Sequence, residues 1–212
     1  MRRILLMVVL GIFISAPAFA QDWIEYASRE DFFTVNFPGQ PKVENINFVS
    51  EYGLSLPARV HSWTDGKARY SVTVVDYSNI SKMHDEKSKA CRAVESYPDA
   101  CGERTDAELR GALVYGSFKL FEKAAKVTHY EHYNADRIEG HRLQLTNSDG
   151  SRTFAAVHLH ENRLYIFEGT VPPVGPPPAL FQQSLGFIDK EGKRIRYSTV
   201  YRHGDPVPKR DR

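Results

Sequence analysis

His158 and His160 stand in AVHLHENRL, separated by Leu159 alone. At that spacing two side chains share one face of an extended segment, where a pair of imidazoles could chelate zinc or copper. A closed zinc site takes about four ligands, and a catalytic one about three plus water. Further donors are His129, Glu131, His132 and His141, and His129 and Glu131 would share a face of their own strand. Spacing does not bring these runs together. With two ligands only, a solvated strand face is the favoured reading. Ala155, Val157 and Leu159 then turn inward and both imidazoles outward, as in a half-buried antiparallel strand. A metal-binding protein or metal-dependent enzyme built on His158 and His160 is the alternative.

Other chemistries find less support. No Gly-x-Ser-x-Gly elbow appears, and no glycine-rich loop precedes a helix. Cys91 and Cys101 enclose nine residues, whereas a redox pair normally encloses about two. In an oxidising compartment neighbouring thiols usually join, so a structural disulfide is expected, worth about 2–3 kcal/mol. Asn79-Ile80-Ser81 fits a glycosylation acceptor, a pattern common by chance. Tyr130, Tyr133, Tyr165 and Phe167 form a candidate ligand pocket, although aromatics on neighbouring strands more often pair across the sheet. No catalytic residue and no cofactor is expected.

The elements that must position these side chains read as sheet, helix, sheet. Phe32–Phe37, Val43–Tyr52, Leu54–Thr64 and Tyr70–Tyr77 alternate or are β-branched, with a hairpin signal at Asp65-Gly66. Ile80–Tyr97 has helical spacing of Met83, Ala90, Ala93, Val94 and Tyr97. Thr105 and Glu108 have the spacing of a capping box, with Thr105 as N-cap. Leu109, Leu113, Gly116, Leu120 and Ala124 follow as one stripe, widened by Phe118, Phe121 and Ala125. Gly111 and Gly116 weaken that helix unless a neighbouring backbone comes close. Lys126–Asn134, His141–Thr146, Arg152–His160 and Leu164–Val171 form a second meander, with a tight turn at Glu161-Asn162. PPVGPPP is an extended connector, Ala179–Leu185 a short helix, and Arg194–Tyr201 a last edge strand. Strand runs separated by helices imply one α+β domain, an antiparallel sheet with flanking helices, over residues 21–200. The basic residues 201–212 read as a flexible tail.

The first 20 residues carry Arg2 and Arg3, an apolar run from Ile4 to Ile14, and Ala18-Phe19-Ala20. This is the pattern of a secretory signal peptide cut after Ala20, and it predicts a periplasmic or secreted protein without a membrane span. The whole chain has 28 basic and 26 acidic side chains. With the two leader arginines gone, charge balances, which argues against a nucleic-acid partner.

The C-terminal third resembles the PsbP-like fold family. The likeness is carried by the Gly140 turn with HRLQL, by TFAAVHLHENRLYIFEG and by LFQQSLGF, with Tyr165, Phe167, Phe181, Ser184 and Phe187 at the family's features. FFTVNFPGQPKV is similar to its opening strand and turn. Cys91, Cys101 and the residues around them have no counterpart there. The resemblance implies a sandwich of an antiparallel sheet and helices, with an accessory or binding role, usually without catalysis. The expected function is therefore a non-catalytic exported accessory protein that binds an envelope protein or a small ligand. The other alternative is a structural envelope protein that assembles through a sheet edge.

Overall fold

The computed structural model describes residues 23–97 and 100–210. The expected leader lies outside them. Strands β1 (Ile24–Ser28), β2 (Phe33–Phe37), β3 (Lys42–Val49), β4 (Ser55–Thr64) and β5 (Arg69–Asp76) come first. Helices α1 (Ile80–Val94) and α2 (Thr105–Lys123) separate them from β6 (Lys126–Ala135), β7 (Ile138–Thr146), β8 (Arg152–His160) and β9 (Arg163–Val171). Helix α3 (Ala179–Gln183) and strand β10 (Gly186–Phe187) follow. The fold is α+β with antiparallel sheets in a single domain, as the element order implies.

The two meanders fuse into one seven-stranded sheet of order β3-β4-β5-β9-β8-β7-β6. The seam is antiparallel, from Arg69 opposite Thr170 to Asp76 opposite Arg163. β1 and β2 stand apart from the first meander and form a small sheet with β10. The large sheet is thus covered by α1 and α2 on one face and by the small sheet with α3 on the other. Each face has its own core. Toward the helices it is aliphatic, with Leu56, Val75, Leu143, Val157 and Leu164 around Leu120 of α2. Toward the small sheet it is aromatic, with Phe33, Phe37, Tyr165, Phe167, Phe181 and Phe187. Burying one such side chain contributes about 1.5–3 kcal/mol before entropy.

Several local expectations change in three dimensions. Thr105 begins α2 rather than capping it; the cap is Arg104, with no side-chain cap bond. Glu108 does not reach back because it is buried against His84 of α1, Oε2 to Nε2 3.1 Å. The buried stripe of α2 is Glu108, Ala112, Gly116, Ser117 and Leu120, and Phe118 faces solvent. Gly116 lies where helix and sheet approach closely: a Cβ there would be 3.1 Å from Val157 Cγ1 and 3.2 Å from a Leu164 methyl. On α1 the buried residues are Ile80, His84 and Ser88, so Val94 lies exposed, as does Tyr97 beyond the helix. Ile80 joins the aliphatic core, while the two polar residues are buried because they meet polar partners: His84 meets Glu108, and the Ser88 hydroxyl donates to the Cys101 carbonyl at 2.5 Å. Cys91 and Cys101 face each other with Cα atoms 5.6 Å apart, a separation that a disulfide spans.

The β6–β7 turn is Asp136-Arg137, both at positive φ, and Gly140 sits inside β7 opposite His158. Glu161-Asn162 forms the expected tight turn, again with both φ angles positive. After β10 the expected strand over Arg194–Tyr201 is reduced to isolated bridges, yet Ile195, Tyr197 and Tyr201 are core residues. The described part of the expected tail, residues 201–210, folds back. The Tyr201 N–H donates to the Arg137 carbonyl at 2.7 Å, and the Ser198 N–H to the Lys209 carbonyl at 2.8 Å.

Candidate functional site

The two histidines that could have chelated metal point inward. His158 is 0% exposed and His160 1%, so the expected solvated face is wrong. The physical reason is the small sheet: β8 is central, and β10 with the C-terminal segment covers the face that would otherwise be wet. His158 Nδ1 lies 3.1 Å from the Ile138 carbonyl and 3.2 Å from that of Glu139. Carbonyls only accept, so Nδ1 carries the proton. Its ring fits because residue 140 is glycine: a Cβ there would fall 2.3 Å from Nδ1. His160 Nε2 lies 2.9 Å from the Tyr197 hydroxyl, between the rings of Phe187 and Tyr201. Burial lowers both pKa values from 6.5, to about 4 for His158 and about 3 for His160. Both imidazoles are therefore neutral core groups at pH 7.

The further donors do not complete a metal site. β7 separates β6 from β8, so His129 and Glu131 never meet His158. His129 pairs with Glu131, Nε2 to Oε2 3.3 Å, and Arg142 also binds Glu131. His132 and His141 are opposite one another on the helix side, ring centroids 5.2 Å apart. Among the described residues no group of three or more His, Cys, Asp or Glu side chains is placed to hold a metal ion.

The proposed aromatic pocket divides. Tyr130 lies on the helix face, against Phe121 at 5.3 Å between ring centroids. Tyr165 is sealed in the aromatic core and donates its O–H to the Asp31 carbonyl at 2.9 Å. Only Tyr133 and Phe167 line a common cavity, of about 70 Å³, beneath Phe181 and Leu185.

His141 reveals a pair that spacing alone did not. Its Nδ1 is 2.8 Å from the Ser117 hydroxyl and 3.1 Å from that of Tyr130. A serine beside an imidazole is the start of a nucleophile and base. Both are buried, however, and Ser117 donates back to the Leu113 carbonyl of its own helix at 3.0 Å. Burial, then the nearby His132, lowers the His141 pKa to about 4. The arrangement ties α2 to β7 rather than presenting a hydroxyl to a substrate.

The best-organised polar cluster that reaches solvent surrounds Asp31, in the β1–β2 turn. Arg59 of β4 grips its carboxylate, with Nε 2.9 Å and 3.0 Å from the two oxygens and an Nη at 2.5 Å. His61 donates Nε2–H at 2.8 Å, and its Nδ1 is 3.0 Å from the Tyr26 hydroxyl. Arg59 also reaches Glu30. Burial opposes ionisation of Asp31, but the hydrogen bonds from His61 and Arg59 outweigh it and hold its pKa at about 2. Such charge-assisted bonds are the strong ones. Next to Asp31, Phe32 has φ +59°, and the Arg163 guanidinium lies over its ring at 4.6 Å. Positive φ at a non-glycine residue costs about 1–3 kcal/mol, which the clamp offsets. The cluster opens onto a trough of about 240 Å³ on the sheet face, lined by Asn45, Asn47, Arg59, Asp76 and Arg163.

No family model and no curated protein matches the sequence. Among solved structures the chain is similar to the solution structure of cyanobacterial PsbP (CyanoP) from Synechocystis sp. PCC 6803. The identity is 12%, the match covers 77% of this chain and 86% of that one, and the TM-score is 0.37. A likeness at that level decides nothing about function.

Sequence reasoning passed over Asp31, Arg59 and His61 because each sits in a different element and no spacing joins them. Glu108 did leave a signal: it falls four residues before Ala112 on the buried stripe, where a carboxylate needs a partner.

Proposed function

We propose that this protein is an exported, non-catalytic accessory protein, and that it works by binding another envelope protein through the trough beside Asp31. One observation carries the reading: Arg59, held by the buried Asp31 carboxylate that His61 also binds, still reaches solvent in the trough. Its volume of about 240 Å³ is below the roughly 300–1,000 Å³ of pockets that engulf a whole metabolite. It suits one or two side chains of a protein partner. The carboxamides of Asn45 and Asn47 offer both donors and acceptors, and the Arg163 guanidinium offers donors to a carbonyl or carboxylate. The leader pattern and the cysteine pair support export. His141, His158 and His160 are buried with lowered pKa values, which leaves them poorly placed for acid–base chemistry on a substrate and supports binding over catalysis.

The test is site-specific photo-crosslinking in the producing cell, with the reactive group at position 76 in the trough and, as control, at Val174, which is highly exposed elsewhere. The expected result is a discrete adduct with a different protein at position 76, absent at 174 and lost in Arg163→Ala. Identical adducts at both positions, or none at 76, would sink the reading. The alternative of assembly through a sheet edge has its own support in β3.

A further inference from the structure

The two edges of the large sheet are built differently. β6, at one end, carries a register shift between Val127 and His129. A bulge of that kind is one of the devices that keep an edge strand from pairing with another chain. β3, at the other end, has no such device. It pairs with β4 in unbroken register from Lys42–Ser62 to Val49–Ser55. It contains no proline, and its only charges are Lys42 and Glu44. No described strand covers its outer side. Along it Val43 is 49% exposed, Ile46 40% and Val49 58%.

The residues of this edge read nearly the same from either end. Val43-Glu44-Asn45-Ile46-Asn47-Phe48-Val49 has valine at both ends, asparagine at the two positions flanking the centre, and Ile46 at the centre. In an antiparallel pair of identical strands with Ile46 opposite Ile46, each Val43 meets a Val49 and each Asn45 meets an Asn47. Each Glu44 meets a Phe48, so no like charges are opposed. The two Glu44 side chains stand four residues apart along the ladder, about 14 Å, beyond the screening length of about 8 Å. Side chains alternate between faces, so the Val and Asn pairs fall on the trough side and the Ile and Phe side chains on the helix side. An isologous contact needs this kind of self-complementarity.

We infer that the partner of the β3 edge is a second copy of this chain, joined antiparallel about a two-fold axis at Ile46. The contact adds about six to eight backbone hydrogen bonds and extends the sheet without interruption from one protomer into the next. It brings the two troughs to the same side of the joint sheet. Seven residues a side is a small interface, so association is reversible rather than obligate.

Single-cysteine cross-linking tests the register. Directly opposed residues of an antiparallel pair have Cα atoms about 4.5–5.5 Å apart, within disulfide reach. Under mild oxidation of the full chain, Ile46→Cys is expected to yield a covalent dimer by itself. Val43→Cys and Val49→Cys are expected to cross-link when mixed and not when alone. Sedimentation over about 1–500 µM is expected to show a monomer–dimer equilibrium. Ile46→Lys, which opposes two ammonium groups at the axis, should raise its dissociation constant at least about tenfold. Because Ile46 is partly exposed, its melting curve should barely move, which separates lost pairing from lost folding. A monomer throughout that range, a dimer indifferent to Ile46→Lys, or cross-linking of Val43→Cys alone would overturn the inference. Asn45, Ile46 and Asn47 also line the trough, so the two readings are told apart by the identity of what is captured: these experiments read pairing of identical chains, and the adduct at position 76 reads a different protein.

Discussion

Acidification from about pH 7.5 to about pH 5 is expected to remove about 4 kcal/mol of folding stability through His158 and His160 alone. Burial is the leading cause of both shifts, taking the folded pKa values from 6.5 down to about 4 and about 3. An unfolded chain binds protons at these histidines as pH falls through about 6.5. The folded chain cannot, so the full contribution exists above that value and is lost on the way down. The loss approaches about 1.4 kcal/mol per pH unit for each histidine. By about pH 5 it has reached about 2 kcal/mol apiece. His141, also lowered to about 4, adds a similar loss to the native protein and to the double variant alike, so the difference between the two isolates His158 and His160; the Asp31 carboxyl, held at about 2 against an ordinary 3.8, acts in the same direction but only below about pH 4. Urea midpoints measured at several pH values in this window read the effect directly. His158→Asn keeps a donor near Nδ1, and His160→Gln keeps a polar atom near Nε2. The doubly substituted protein should lose about 4 kcal/mol of pH dependence. A native protein whose midpoint stays flat over this window, or a double variant with an unchanged slope, would refute the assignment of both rings to the core.

Gly140→Ala is expected to cost about 1–3 kcal/mol, the usual range for overpacking, because its methyl would meet His158 and the Val157 carbonyl; thermal melting checks it. Asp31→Ala should cost about 3 kcal/mol, since it leaves Arg59 and the buried His61 without their carboxylate, and a urea titration at neutral pH would reveal it. Leu120→Asp should abolish cooperative unfolding, because Leu120 is buried between α2 and the sheet and an isolated carboxylate there has no partner; an unchanged melting temperature would remove α2 from the core.

How much of this was legible varies with the range of the interaction that decides it. Turns were readable: Asp65-Gly66 and Glu161-Asn162 act through local backbone conformation, and both stand where expected. The alternation of Ala155, Val157 and Leu159 identified the apolar side of β8 correctly. The same alternation misassigned His158 and His160, because the pattern says which residues share a face and not what covers it. Gly140 looked like a turn residue for the same reason, since the ring it accommodates comes from another strand. The small sheet that buries this face is made of β1 and β2 from one end of the chain and β10 from the other, and no local window contains both.

Period and propensity, which act within a few residues, were enough for the α+β class and for most strand and helix positions; at Gly116 they pointed to a neighbouring backbone, whereas the side chains of Val157 and Leu164 are what come close. Tertiary structure alone decided the order of the strands, the burial of both histidines and the meeting of Asp31 with Arg59 and His61. Those outcomes depend on contacts between residues tens of positions apart, such as Asp31 and Tyr165. They form only when desolvation and hydrogen bonding across packed layers outweigh what each segment prefers alone.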